Sequence, residues 1–70
     1  MTRDEWIQAF ARELGVEPPT PEQAEQLLDL AGTAAHSSER PAAPLACWIA
    51  GTAGASTEEF LAAAERVNAA

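Results

Sequence analysis

Apolar positions recur at spacings of three and four in four separate stretches of this 70-residue chain, and polar residues punctuate the gaps between them. Trp6, Ile7, Phe10 and Leu14 line one side of the first stretch, while Asp4, Gln8, Arg12 and Glu13 fall mostly on the other. That spacing predicts an amphipathic helix over 3–14. Thr2 followed by Glu5 reads as a capping box at its start, and Gly15 supplies a left-handed residue at its end, with Val16 able to fold back on the last turn. Val16 to Pro19 is a stiff connector, because each proline fixes its own backbone angle and restricts the residue before it.

Thr20, Pro21 and Gln23 repeat the start signal, with proline at the first helical position, and predict a second helix over 21–37. Ala24, Leu27, Leu28, Ala31 and Ala35 make its apolar stripe, which Leu30 and Ala34 widen. Glu22, Glu25, Gln26, Asp29, Thr33 and His36 fall opposite. Gly32 in its interior costs about 1 kcal/mol relative to alanine, so a close neighbouring helix is expected there. Ser56 with Glu59 starts a last helix over 57–68, whose core face is Phe60, Leu61, Ala64 and Val67.

The third stretch differs in kind. Seventeen consecutive residues, Pro41 to Thr57, carry no charge. Leu45, Trp48, Ile49 and Thr52 share one helical face at offsets of three, four and seven, and alanine and glycine fill the other faces. A helix over 41–53 is predicted, with Pro44 tolerated in the first turn. Because no face of it is charged, the pattern predicts that this third helix is central and enclosed by the other three. No run alternates with period two. The expected fold is therefore all-α, a single helical domain over 1–70 arranged as a compact orthogonal or irregular four-helix array.

Composition narrows the possible functions. Eleven acidic residues against four arginines, with no lysine, give a formal charge of −7. Such a surface repels nucleic acid and anionic lipid, so neither is an expected partner. The single cysteine, Cys47, cannot form an internal disulfide, which fits a reducing cytoplasm. Pro41, Pro44, Gly51 and Gly54 interrupt the uncharged stretch too often for a membrane span.

His36, Glu39 and Arg40 are the one tight cluster of versatile polar side chains, placed just before the third helix. They could shape an anion pocket at its N-terminus. The plainer reading is that His36 complements the dipole at the end of the second helix while Arg40 pairs with Glu39 or another carboxylate to orient the turn. Cys47 projects about 160° from Leu45 and Ile49, off the stripe taken as the core, and is either an inert enclosed thiol or part of a partner surface. Trp6 and Trp48 read as core anchors. No residues mark an oxyanion hole, a metal-ligand spacing or a paired-carboxylate pocket, so neither catalysis nor a metal or cofactor is expected.

The run Ala35-His36-Ser37-Ser38-Glu39-Arg40-Pro41-Ala42-Ala43-Pro44-Leu45, followed by Trp48-Ile49-Ala50-Gly51, resembles a short all-helical domain of unknown function from high-GC bacteria. Asp4-Glu5-Trp6, Glu13-Leu14-Gly15-Val16 and Leu28-Asp29-Leu30-Ala31 also match it, so the resemblance spans nearly the whole chain. That domain occurs alone or at the C-terminal end of MobA-like molybdenum cofactor guanylyltransferases. The resemblance implies a helical fold and a link to molybdopterin metabolism, and assigns no catalytic residues. The resulting expectation is a non-catalytic, acidic accessory or protein-interaction module, partnered by a MobA-like nucleotidyltransferase or by copies of itself. Its contact residues would be His36, Glu39, Arg40, Pro41 and Pro44 at the rim, with Trp48 beneath. The rival expectation is a small anion- or nucleotide-binding protein using the His36–Arg40 turn and the start of the third helix.

Overall fold

Three of the four helices start on the same device. Thr2, Thr20 and Ser56 each accept a hydrogen bond from the backbone N–H three residues on, and the side chains of Glu5, Gln23 and Glu59 accept in return from the cap's own N–H. Each box satisfies two donors that a helix start would otherwise leave open. In the computed structural model, which describes residues 1–70, these caps open α1 (Arg3–Leu14), α2 (Pro21–Ser37) and α4 (Thr57–Ala69). The uncapped helix is α3 (Ala42–Ala53), entered through Pro41.

Glycine ends two of them. Gly15 and Gly54 sit at φ 70° and 64°, the left-handed region that a side chain disfavours. Val16 N–H donates to the Ala11 carbonyl and Gly15 N–H to that of Arg12, the paired bonds that close a helix over its last turn; Ala55 and Gly54 repeat the arrangement on Ala50 and Gly51. The all-α architecture and all four helix positions expected from the sequence are present, and no strand forms.

The centre of the array is α2, against which both α3 and α4 pack. The expectation that the third helix is central and enclosed is overturned: Leu45 is 63%, Trp48 70% and Ile49 61% exposed. What α3 turns toward α2 is its small side. Ala43, Ala46 and Cys47 are half-buried and Ala50 is buried, at offsets of three, four and seven. Small side chains allow a close helix approach, within the roughly 8–10 Å typical of helix axes, and leave room on α2 for α4 as well.

A smaller rotation, of about a quarter turn at 100° per residue, recurs on α1, where Ala11 is buried and Ile7 half-buried while Trp6, Phe10 and Leu14 face out. Trp6 and Phe10 stack on each other with ring centroids 5.1 Å apart. On α2, Leu30 is the buried leucine and Leu28 faces solvent, and on α4 Val67 is exposed rather than in the core. Gly32 has open space where a Cβ would stand, so no close helix approach explains it.

The molecule is extended, measuring 39 × 22 × 18 Å with a radius of gyration of 12.7 Å. A compact chain of this length has a radius of gyration of about 11 Å. Its accessible surface is 5595 Å². A compact monomer of the same mass exposes about 4,200 Å².

Candidate functional site

The six residues singled out from the sequence, His36, Glu39, Arg40, Pro41, Pro44 and Trp48, are all exposed. The first four belong to the end of α2 and the turn that follows; Pro44 and Trp48 are on α3. His36 lies in the last turn of α2, where a cation complements the carbonyl end of the helix. Arg40 makes no ion pair with Glu39, since the one ion pair in the molecule joins Arg3 to Asp4 at 2.8 Å on the surface.

The start of α3 is poorly equipped for an anion. Ala42 N–H donates to the Glu39 carbonyl and Ala43 N–H to that of Arg40, while Pro44 has no N–H to give. The donors that make a helix N-terminus attractive to phosphate are thus engaged or missing. Neither of the two main concavities is lined by any residue from His36 to Leu45.

Those concavities lie on either side of α2. One, of about 400 Å³, is lined by residues such as Ile7, Pro18, Ala24, Leu28 and Cys47, between α1 and α2. The other, of about 470 Å³, is bounded by α2, α3 and α4, with Leu30, Ala46, Ala50, Phe60 and Ala64 among its walls and Ile49 and Val67 also lining it. Both are open; the second is almost wholly apolar, whereas Arg3, Asp4, Gln8 and Glu25 reach the walls of the first. No three His, Cys, Asp or Glu side chains converge, and no buried polar side chain is left without a hydrogen-bond partner.

Cys47 is half-buried, with Sγ 3.8 Å from the Leu27 carbonyl oxygen. It lies on the packed face of α3, neither enclosed on all sides nor on the outward one. The two perturbed carboxylates are likewise structural: Glu5 and Glu59 are held below the ordinary glutamate range by the backbone N–H of Thr2 and Ser56, and secondarily by those residues' side chains.

The surface that stands out is therefore the outer stripe of α3: Leu45, Trp48, Ile49 and Thr52, all exposed on a helix with no charged residue. Sequence reasoning found these residues but turned them inward. The signal for the opposite orientation was present, because Ala43, Ala46, Cys47 and Ala50 share the same i, i+3, i+4, i+7 spacing on the other side.

Comparison with known families assigns the chain by its full length, residues 1–70. It belongs to the family described as a domain of unknown function, DUF6457. No curated protein matches it, and no solved structure does. For this DUF6457 domain the helical expectation drawn from the resemblance holds, and no helix is long and apolar enough to cross a membrane.

Proposed function

We propose that this DUF6457 chain is a non-catalytic protein-interaction module of the cytoplasm, acting beside a MobA-like guanylyltransferase of molybdenum cofactor synthesis. The observation that carries the interaction role is the outward stripe of α3, where Leu45, Trp48 and Ile49 are each more than 60% exposed on an uncharged helix. Contiguous large apolar side chains held in water are the mark of a surface that another protein covers. The rim formed by His36, Glu39, Arg40, Pro41 and Pro44 adjoins that stripe at the start of α3 and supplies its polar edge. The link to the guanylyltransferase rests on the resemblance described from the sequence.

The test is isothermal titration of the purified chain with a MobA-like guanylyltransferase from the same cell. Micromolar binding that Arg40→Ala weakens is the expected result. No heat and no co-migration at about 100 µM, a concentration at which an association of about −5.5 kcal/mol or stronger would be half-saturated, would remove the enzyme partner from the proposal.

A further inference from the structure

We infer that the outer stripe of α3 is closed by a second copy of this chain, the two α3 helices crossing antiparallel about a two-fold axis between Trp48 and Ile49. This inference rests on the interaction reading above and names the occupant of its apolar part.

Area is the first argument. The chain exposes 5595 Å² where about 4,200 Å² is ordinary for a compact monomer of 7.4 kDa, an excess of about 1,400 Å². A stable interface of standard size covers about 800 Å² on each partner. That excess is shared with α1, α2 and α4, where Trp6, Leu14, Leu28 and Val67 are also more than half exposed, so the α3 stripe supplies the apolar centre of such a patch and its flanks the remainder.

Charge selects the occupant. A chain of net charge −7 repels its own copies wherever carboxylates meet, yet nothing between Pro41 and Thr57 is ionised. A second copy can thus approach along α3 without bringing like charges into contact, whereas a basic partner finds no carboxylate there to recognise. The uncharged stripe fits its own copy better than it fits a complementary ion-rich surface.

Register fixes the orientation. Leu45, Trp48, Ile49 and Thr52 are symmetric about the midpoint between residues 48 and 49. An antiparallel crossing there sets Leu45 against Thr52 of the second copy and Trp48 against its Ile49, the self-complementary arrangement that two-fold symmetry requires. It also brings the Glu39–Arg40 end of one α3, where the two charges offset, toward the Glu58 and Glu59 end of the other; a parallel crossing would gather all four of those C-terminal glutamates together. Gly51, beside the stripe, has open space above its Cα and leaves a flat place for the incoming indole.

Sedimentation equilibrium of the chain from about 1 µM to about 1 mM reads the outcome directly, since self-association follows mass action. The expected result is twice the 7.4 kDa chain mass at the upper end, with Trp48→Glu and Leu45→Glu each weakening the dimer about a hundredfold or more while Trp6→Glu leaves it intact. A second readout does not depend on those variants: in the Trp6→Phe chain, Trp48 emission shifts to the blue as the dimer forms. In a Cys47→Ala background, Leu45→Cys mixed with Thr52→Cys forms a disulfide that Leu45→Cys alone does not. A monomer at every concentration, or a dimer indifferent to Trp48→Glu, overturns the inference. A monomer that still binds the guanylyltransferase sinks the dimer and leaves the accessory reading standing; a dimer that binds no guanylyltransferase does the reverse.

Discussion

The thiol of Cys47 points at the backbone carbonyl of Leu27 across a gap of 3.8 Å, the one side-chain hydrogen bond in the molecule that passes from one helix to another. Every other side-chain hydrogen bond is local, between residues one or three apart. Tertiary structure therefore depends on apolar contact around α2, and the contact face of α3 is the face that carries Cys47.

The buried centre on α2 should be sensitive and the outward face of α3 tolerant. Leu30→Ala, which empties the one buried leucine, should cost about 2–3 kcal/mol, a large part of a small domain's stability. Ile49→Ala, measured where the chain is monomeric, should cost under about 1 kcal/mol because its side chain is mostly in water already. Urea unfolding of both variants checks this; equal losses would show that α3 is rotated differently.

Thiol labelling gives an independent view of that rotation. At concentrations where the chain is monomeric, Cys47 should react with a bulky disulfide reagent more slowly than the thiol introduced by Trp48→Cys in a Cys47→Ala chain, since position 48 is 70% exposed and Cys47 half-buried. A faster reaction at position 47 would contradict the packing of α3 on α2.

Gly32 lies inside α2 with nothing within 4 Å of the place a Cβ would occupy. Gly32→Ala should then stabilise the chain by about 1 kcal/mol, because the alanine has less backbone freedom to lose and meets no obstacle. Thermal unfolding should show Tm rising by about 4–8 °C for a domain of this size. A fall in Tm would mean that another chain or helix approaches there after all.

The capping boxes should give the protein an acid-sensitive stability. Glu5 and Glu59 have pKa values below their ordinary range in the folded chain because Thr2 and Ser56 donate to the ionised carboxylates. Their contribution is therefore complete above the unfolded value of about 4.3 and disappears as pH falls through the lowered folded values. Glu5→Gln with Glu59→Gln keeps the geometry already present at Gln23 but removes the titration. Plotted as unfolding midpoint against pH, the double variant should be flatter than the parent below about pH 4.3. Thr20→Ala, by contrast, should cost about 1 kcal/mol at every pH, because its box contains no ionisable group.

The number of helices, their ends and the stiff link at Pro18-Pro19 were legible in the chain, because caps, prolines and glycines act on neighbours no more than a few residues away. Thr2, Thr20, Ser56, Gly15 and Gly54 could do nothing else wherever the helices finally lay. The turn between α2 and α3, with Glu39, Arg40 and Pro41 exposed, was legible for the same reason. Which side of each helix faces α2 was not: α3 carries two opposed apolar stripes of identical spacing, one of alanine and cysteine, one of leucine, tryptophan and isoleucine. Periodicity identifies a stripe but says nothing of what lies against it. Only the packed arrangement, in which α2 holds both α3 and α4 and small side chains let α3 approach it, turns the alanines inward and leaves Leu45, Trp48 and Ile49 facing water.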